Sequence, residues 1–352
     1  MELDRLPRVP LARFPTPLED APRLAAALGV ARLLVKRDDL TDLSLGGNKV
    51  RKLEFLMGEA LAQRADTIIT TASDQSNFLR LTAAASRRLG LRPILVVRGR
   101  PDAPSRGNLL LMRLFDAEIR YVSTQDPYAE STIALMHAIA DEVRGRGGRP
   151  YVVHLATVSS GLATVGYLPA ALELADQLRA RQARCDHVVV AVGSGTTYAG
   201  LLLGLRHIGL DCHVLGASVN TAAGVLREHV KAQMRAAAEI LGLPAPEYDA
   251  EINITDGHVG PGYGIPTADS VEAVRLAARC EGLVFDPIYT GKAWAALQQA
   301  VRTGTIARDA TVVFMHTGGA PNLFLHADSL AGPDALSGVD TGGTHAHIRD
   351  AD

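Results

Sequence analysis

The chain has 352 residues and a formal net charge of −2, from 36 Lys and Arg against 38 Asp and Glu. This balance argues against a basic nucleic-acid surface and against a polybasic membrane patch. With 47% hydrophobic residues the chain is too apolar to be disordered. Its cysteines, Cys185, Cys212 and Cys280, form no CxxC pair, which argues against a disulfide framework and a zinc ribbon. We find neither an apolar run of about 18 residues nor a signal-peptide pattern, so we expect a cytoplasmic globular protein.

Short β-branched runs alternate along the chain with longer segments rich in Ala, Leu and Arg. The short runs predict strands at Leu33–Lys36, Thr67–Thr70, Pro93–Val97, Glu118–Val122, Val152–His154, His187–Val192, His213–Ala217 and Thr311–Met315. The longer segments predict helices at Lys49–Gln63, Asn77–Leu89, Ser105–Phe115, Ser131–Arg144, Leu162–Arg179, Gly200–Ile208, Ala223–Leu241, Ser270–Glu281 and Lys292–Thr303. The alternation predicts an α/β fold of parallel strands with helices on both faces, in two domains or one domain with an insertion. Ligands bind such sheets at the carboxyl ends of the strands.

A glycine pair followed by a lysine opens the first predicted helix, in Gly46-Gly47-Asn48-Lys49. The unpaired N–H groups of a helix start create positive potential, which lowers the pKa of a nearby amine. Such a lysine can form a Schiff base with an aldehyde cofactor. A glycine turn with a surface lysine would give the same pattern. The loop is not a phosphate loop of the GxxxxGK[ST] type, because Asn48 separates the glycines from the lysine.

Two further turns follow predicted strands and precede helices. Gln75, Ser76 and Asn77 place donors at a helix start, which suits a carboxylate, although a plain N-cap by Ser76 or Asn77 would look the same. The turn Gly193–Gly200 combines small residues with hydroxyls and suits a phosphate. Tyr198 breaks the GxGxxG dinucleotide fingerprint, so a phosphate monoester fits better than a dinucleotide and a nicotinamide oxidoreductase is disfavoured.

Late turns add hydroxyl groups. Tyr289 precedes a helix, where a phenol can act as an acid or base or pack on a ring. Thr317 follows an apolar strand, where a hydroxyl can meet a ring nitrogen. Tyr263 lies in a glycine-rich loop that could shape the mouth of a pocket. Taken singly, each of these is as well explained as an ordinary turn or loop residue.

Together the motifs resemble the pyridoxal-phosphate enzymes of the tryptophan-synthase-β-like fold, and among them the 1-aminocyclopropane-1-carboxylate deaminase/D-cysteine desulfhydrase family. The resemblance is carried, in family order, by Thr16–Glu19, Lys36–Asp39, Gly46–Glu54, Gln75–Asn77, Gly260–Pro266, Asp286–Lys292 and His316–Pro321. It implies pyridoxal-phosphate fold type II, with two parallel-sheet α/β domains, the smaller inserted in the larger. The large cofactor-binding domain would comprise residues 1–52 and 162–330, and the small domain residues 53–161.

The resemblance also implies a role for each motif. Lys49 would hold pyridoxal 5′-phosphate as a Schiff base. Asn77 would contact the ring oxygen of the cofactor, Thr317 its pyridine nitrogen and Tyr289 its ring. The phosphate would be bound by Gly193, Ser194, Gly195, Thr196 and Thr197. The substrate would be an amino acid bound by Gln75, Ser76, Asn77, Phe78 and Tyr263. Lys49, Ser76 and Tyr289 would be the catalytic residues. No metal is implied, and the family implies a homodimer.

Two positions favour the desulfhydrases within that family. The deaminases have Glu where Thr290 stands and Leu where Thr317 stands. A neutral hydroxyl at the ring nitrogen makes a weaker electron sink, which is enough to expel a good β-leaving group but not to open a cyclopropane. The resemblance thus implies α,β-elimination on a small amino acid, giving a 2-oxo acid and ammonia. The alternatives are β-replacement, deaminase-like ring opening, elimination on another β-substituted amino acid, and a cofactor-binding regulator without turnover.

One motif departs from the family pattern. The family usually continues Gln-Ser-Asn with His or Gln and has an apolar residue before it, whereas this chain has Phe78 and Asp74. Phe78 would make that wall of the site apolar, and an anionic Asp74 would be costly beside a carboxylate pocket. The natural substrate is then expected to carry a larger or cationic side chain, unless both residues point away from the pocket.

The segment Ala331–Asp352 is rich in Gly, Ala, Thr, Asp and His and has no apolar period. It predicts a flexible tail. His345 and His347, with Asp350 and Asp352, could bind a metal, but such tails are usually only solvated.

Overall fold

Two sheets organise the protein, whose computed structural model describes residues 3–124, 126, 129–154 and 159–331. The strands, in chain order, are β1 (Leu18–Asp20), β2 (Arg32–Arg37), β3 (Thr67–Ser73), β4 (Arg92–Arg98), β5 (Glu118–Val122), β6 (Pro150–Val153), β7 (His187–Val192), β8 (His213–Ser218), β9 (Asn253–Thr255) and β10 (Thr311–His316). The larger sheet has the order β1-β2-β10-β7-β8-β9, and the smaller one β5-β4-β3-β6. Every pairing is parallel except that of β1 with β2.

Helices connect the parallel strands. They are α1 (Pro22–Leu28), α2 (Lys49–Ala62), α3 (Asn77–Arg88), α4 (Gly107–Leu114), α5 (Glu130–Gly145), α6 (Ser160–Val165), α7 (Leu168–Ala180), α8 (Thr196–His207), α9 (Ala223–Ile240), α10 (Ala268–Glu281), α11 (Thr290–Arg302), α12 (Ala320–Leu323) and α13 (Ala327–Ala331). Within the described ranges, no helix has the length and apolar character that a membrane crossing requires.

The larger sheet is covered on both faces, as the alternation of strands and helices predicts. On β7, Val188 and Val190 pack into one hydrophobic cluster, and Val189 and Ala191 pack into a second cluster on the other face. Because successive strand residues point to opposite faces, a strand buried on both sides reads as an unbroken apolar run. The α/β fold with two sheets is therefore confirmed, whereas the domain boundaries at residues 53 and 161 stay a prediction.

The predicted helix Leu162–Arg179 is wrong, because the chain forms α6 and α7 there with a break between them. Pro169 lies in the first turn of α7 and has no N–H to donate to Val165, so the earlier helix cannot continue through it. Gly166, at the break, approaches α2 so closely that a Cβ would lie 2.7 Å from the Cα of Lys52. The break therefore lets α2 and α6 pack against each other.

Strands β1 and β9 are absent from the sequence prediction. Each lies at an edge of the larger sheet and is three residues long. A strand of this length is too short for an alternation of apolar and polar residues to be recognised in the sequence. The predicted tail from residue 331 lies outside the described residues, apart from Ala331 at the end of α13.

Candidate active site

A tight loop brings Lys49 to the first position of α2. Gly46 has a φ of +68°, and a Cβ there would lie 1.9 Å from the carbonyl oxygen of Asp39, so only glycine fits. The hydroxyl of Thr41 accepts a hydrogen bond from the N–H of Gly47 at 2.7 Å and donates one to its carbonyl at 3.0 Å. The lysine therefore projects from a fixed backbone at a helix start.

Lys49 lies beside a second lysine, which the sequence reading did not single out. Burial lowers the pKa of Lys49 to about 8, and its amine lies within hydrogen-bonding reach of Lys52. Lys52 is fully buried, and both burial and the charge of Lys49 lower its pKa well below the ordinary value. No acidic side chain of the described residues contributes to either pKa. We call these two residues the lysine pair; two amines so placed attract an anion.

The turn after β7 supplies the surroundings for that anion. The ammonium of Lys52 donates to the hydroxyl oxygens of Thr196 at 2.6 Å and Thr197 at 2.7 Å. Gly195 has a φ of +94°, and a Cβ there would meet the side-chain oxygen of Gln233 at 2.7 Å. The N–H groups that begin α8 point into the same turn, where a helix start favours negative charge. We call Gly193–Thr197 the cradle; a cation, hydroxyls and helix N–H groups fit a phosphate.

Two other contacts join the cradle to its surroundings. The side-chain amide of Asn48 donates to Thr197 at 3.1 Å, and its backbone N–H donates to the carbonyl of Thr317 at 3.1 Å. These bonds hold the loop Gly46–Lys49 between the turn after β7 and the carboxyl end of β10. The sequence-predicted residues Lys49, Thr197 and Thr317 are therefore brought together, although they are far apart in the chain.

Asn77 begins α3 and is oriented by a residue that the sequence reading missed. The buried amide nitrogen of Asn108, at the second position of α4, donates to the carbonyl of Gln75 at 2.8 Å and to Oδ1 of Asn77 at 2.9 Å. It also lies 3.1 Å from Oδ1 of Asn322, on α12. Because the backbone carbonyl can only accept, the orientation of Asn108 is determined. Asn77 therefore keeps its NH₂ group available as a donor.

The neighbouring side chains of this loop already have hydrogen-bond partners within the protein. The hydroxyl of Ser76 accepts hydrogen bonds from the N–H groups of Phe78 at 3.1 Å and Leu79 at 3.3 Å. Ser76 is therefore the N-cap of α3, which confirms this prediction from the sequence. Its own proton remains available to donate. The side-chain oxygen of Gln75 accepts from the N–H of Asn108 at 3.0 Å. The side chain of Gln75 therefore holds α4, and its role in binding a substrate stays a prediction.

Phe78 and Asp74, the two departures from the family pattern, have different surroundings. Phe78 is buried in a hydrophobic cluster with Val50 and Leu53 of α2, so its ring packs in the core beside the start of α2. Its role as a substrate contact stays a prediction. Asp74 is half-buried just after β3, and burial raises the pKa of its carboxyl.

Tyr289 faces the cradle, and its backbone is held by a buried acid. A Cβ on Gly193 would meet the ring of Tyr289 at 3.7 Å. Asp286 accepts hydrogen bonds at 3.0 Å from the N–H groups of Ile288, Tyr289 and Thr290. The hydroxyl of Thr290 also bonds to Asp286, so it supports this turn and does not face the site.

The phenol oxygens of Tyr263 and Tyr289 lie 2.5 Å apart. Burial raises the pKa of Tyr289 well above the ordinary value, and the neighbouring phenol adds to this shift. Tyr289 is therefore protonated at neutral pH. Tyr263 is 39% exposed and lies at the open side of the site, where the sequence predicts a pocket mouth.

A second group of buried charges lies on the other side of α2. Arg51 donates to the two oxygens of Asp38 at 2.7 and 2.9 Å and to Glu173 at 2.9 Å. Lys36 also bonds to Glu173, and the hydroxyl of Tyr167 donates to Asp38 at 2.5 Å. We call Lys36, Asp38, Arg51 and Glu173 the balanced cluster, because its two cations meet two acids. It anchors the helix that carries the lysine pair.

Comparisons with known proteins agree with this geometry. The family model described as "Pyridoxal-phosphate dependent enzyme" matches residues 9–318. The chain belongs to the pyridoxal-phosphate-dependent enzymes. It is 40% identical to a D-cysteine desulfhydrase of Salmonella schwarzengrund (strain CVM19633) over 330 residues, which cover 92% of this chain and 97% of that protein. A D-cysteine desulfhydrase of Salmonella choleraesuis (strain SC-B67) is 39% identical over the same shares of the two chains.

A solved structure, described as an "ACC deaminase homologue", is also similar. It matches with a TM-score of 0.84 at 34% identity, over 93% of this chain and 96% of its own. These findings confirm the deaminase/desulfhydrase family, fold type II and pyridoxal phosphate as the cofactor. They leave the role of each site residue as a prediction. Among the described residues, no group of three or more His, Cys, Asp and Glu is placed to hold a metal.

Proposed function

We propose that the protein catalyses α,β-elimination on a β-substituted amino acid, of the kind that a D-cysteine desulfhydrase performs. The proposal is supported by the likeness to the Salmonella desulfhydrases over nearly the whole chain. The observation that carries it is the lysine pair beside the cradle, because a partly buried amine, a fully buried amine and a ring of hydroxyl and N–H donors fit an aldehyde that bears a phosphate.

The residues present fit pyridoxal phosphate at each of its polar groups. Lys52 and the cradle would hold the phosphate, Lys49 would bind the aldehyde carbon, and the free NH₂ group of Asn77 would donate to the ring oxygen. Thr317, which is 9% exposed at the carboxyl end of β10, would face the ring nitrogen. When bound, the cofactor withdraws electrons from Cα of an amino acid, which acidifies the Cα proton.

Lys49 is suited to remove that proton. With a pKa of about 8, an appreciable fraction of its amine is neutral near neutral pH, and a neutral amine is needed both to bind an aldehyde and to act as a base. This amine would lie beside Cα of a substrate held at the cofactor. Its fixed position at the start of α2 keeps it there.

The leaving group needs a proton, and two hydroxyl groups can supply it. Tyr289 carries its proton at neutral pH and is hydrogen-bonded to Tyr263, through which the proton can be replaced. Ser76 has its oxygen fixed by the N-cap bonds while its own proton stays free. For D-cysteine and one water molecule, the products are pyruvate, sulfide and ammonia.

The choice between elimination and cyclopropane opening is supported by the neutral hydroxyl of Thr317 itself and by the position of Thr290. Thr290 bonds to Asp286 and lies outside the site, so no acid stands there to keep the ring nitrogen protonated. Deaminase-like ring opening and β-replacement are the competing functions. We also propose a homodimeric, cytoplasmic enzyme with the domain boundaries given above, as the family resemblance implies.

The test is product analysis with the protein loaded with pyridoxal phosphate. We expect D-cysteine to give pyruvate, sulfide and ammonia in equal amounts, and Lys49→Ala to lose both this activity and the visible absorption of the bound cofactor. Tyr289→Phe should keep the absorption and lower kcat. A loaded enzyme that converts 1-aminocyclopropane-1-carboxylate and not D-cysteine would contradict the proposal, as would consumption of an added thiol in place of pyruvate release.

A further inference from the structure

Arg98 is a partly buried cation at the edge of the site that the mechanism does not use. It is the last residue of β4 and pairs in register with Ser73, the last residue of β3. Residues that pair in register on neighbouring strands point their side chains to the same face of a sheet. The guanidinium group of Arg98 therefore lies on the same side as the hydroxyl of Ser73.

That side of the sheet leads directly to the catalytic tyrosine. The hydroxyl oxygens of Ser73 and Tyr263 are 3.5 Å apart, and those of Tyr263 and Tyr289 are 2.5 Å apart. The charge of Arg98 also acts on the pKa of Tyr289, and both phenols act on the pKa of Arg98. Arg98 thus belongs to the surroundings of the reacting groups.

No carboxylate of the described residues lies within 4.0 Å of the Arg98 guanidinium, whereas Arg37 and Arg51 are each held by acids. Asp126 acts on its pKa only from a longer distance. Arg100, two residues further on, is exposed and pairs with Asp102 at 3.3 Å. A planar guanidinium that is partly desolvated and has no acid beside it is an effective receptor for a carboxylate or a similar anion.

We propose that Arg98 binds an anionic group on the β-substituent of the substrate, so that the enzyme acts on β-substituted alanines whose leaving group carries a carboxylate or a comparable anion. This inference rests on the proposed function. The α-carboxylate of the substrate is assigned to the start of α3, which follows β3. Arg98 lies on the neighbouring strand β4, about 4.8 Å from β3 in a sheet, which is within the reach of a longer side chain.

An anionic β-substituent is the opposite of the cationic substrate side chain that Asp74 alone would favour. Asp74 packs against Gly99, because a Cβ added to Gly99 would lie 3.2 Å from the Cβ of Asp74. Within the described structure, Asp74 makes no ion pair with Arg98 at 4.0 Å or less. Burial raises the pKa of Asp74. The assignment of the β-substituent to Arg98 rests on the position of this cation in the sheet and on the absence of an ion pair at it within the described residues.

Three D-cysteine thioethers of similar size test the proposal: S-carboxymethyl, S-carbamoylmethyl and S-aminoethyl. In each, the Cβ–S bond breaks, the thiol leaves with a proton, and water converts the remainder to pyruvate and ammonia. We expect kcat/KM for the carboxylate to exceed that for the isosteric amide by about tenfold to a hundredfold, the range of one charge-assisted hydrogen bond. Arg98→Gln should abolish the preference, Arg98→Lys should keep part of it, and the matched control Arg100→Gln should leave it unchanged.

Calorimetric dissociation constants for the same three compounds give a readout that does not depend on turnover. Faster reaction or tighter binding of the aminoethyl compound would overturn the proposal. So would an equal loss for D-cysteine and all thioethers in Arg98→Gln, because Arg98 would then bind the α-carboxylate. Absence of pyruvate from every compound, with the carboxylate still bound most tightly, would instead contradict the proposed function.

Discussion

Helix α2 carries buried cations on two sides, and the two sides differ in how their charge is met. On one side lies the balanced cluster, in which Arg51 and Lys36 bond to Asp38 and Glu173. On the other side Lys52 of the lysine pair donates to the hydroxyl oxygens of Thr196 and Thr197, and no acid of the described residues bonds to the pair. Each group includes a cation of α2, so their difference is one of partners.

This difference indicates where a charged ligand would bind. Buried charges are costly unless they are paired, and the balanced cluster meets that condition without any ligand. The lysine pair does not. Burial lowers the pKa of Lys36 as well as those of Lys49 and Lys52, but only for Lys36 do acids, Glu173 and Asp38, oppose the shift. On the proposed function, the phosphate and aldehyde of the cofactor would offset the cost of burying these amines, so the balanced cluster would serve the fold and the lysine pair would serve binding.

The largest effect should come from breaking the balanced cluster. Arg51→Met leaves Asp38 and Glu173 buried without their main cation, and we expect the free energy of unfolding to fall by about 3–5 kcal/mol. Lys52→Met removes an unbalanced charge, so the cofactor-free protein should be as stable as the wild type or more stable. Urea unfolding of both variants measures this contrast, and equal destabilisation by the two changes would refute it.

The pH dependence of stability tests the lysine pair directly. The pKa of Lys49 is about 8 in the folded protein and 10.5 in its ordinary state, so between these values the unfolded chain binds more protons. The cofactor-free protein should therefore gain stability as the pH rises from 8 to 10.5, by up to about 3 kcal/mol from this residue, and lose that gain as the pH falls through 8. Lys49→Met should flatten this part of the curve in urea unfolding. An unchanged slope would mean that the amine is not buried as described.

Lys52 is expected to determine cofactor affinity. Its loss removes a charge-assisted contact to the phosphate, so Lys52→Met should raise the dissociation constant of pyridoxal phosphate by about a hundredfold. Lys231→Met removes a lysine of α9 that pairs with Glu228 at 2.9 Å; it is the control and should have no effect. Fluorescence titration of the cofactor-free proteins gives both constants. Unchanged affinity in Lys52→Met would place the phosphate elsewhere.

The smallest effect concerns Ser76, where a cap and a proton donor share one atom. Ser76→Ala should lower stability by about 1 kcal/mol and Ser76→Gly by only a few tenths, because glycine is a tolerable N-cap. If the hydroxyl also supplies a proton, kcat should fall by a similar factor in both variants despite their different stabilities. A fall in kcat that follows stability alone would limit Ser76 to its structural role.

The sequence predicts those parts of the site that are local in the chain. A glycine turn before a helix, or a hydroxyl-rich turn after a strand, can be read from a few neighbouring residues, and Lys49, Asn77 and the cradle were found in this way. The strands β5 and β7 and the starts of α2, α3 and α9 have the predicted bounds for the same reason. Edge strands of three residues carry too little pattern to be read.

Other features depend on contacts between distant parts of the chain. Lys52 reads as an ordinary helix lysine until the fold places Thr196 against it. Asn108 is separated from Asn77 by 31 residues, and Arg98 becomes notable only when the sheet sets Ser73 beside it. Phe78 is a further case, because its position in the motif predicts a substrate contact, while only the fold shows that its ring packs with Val50 and Leu53.

Locating the cofactor on one of the two lysines tests the central claim most directly. The protein would be loaded with pyridoxal phosphate, reduced with borohydride to make the attachment permanent, digested and analysed by mass spectrometry, with and without prior D-cysteine. We predict that the label lies on Lys49, is absent from Lys52, and is lost from the protein while D-cysteine releases pyruvate. A label on Lys52, or none on either lysine, would contradict the account.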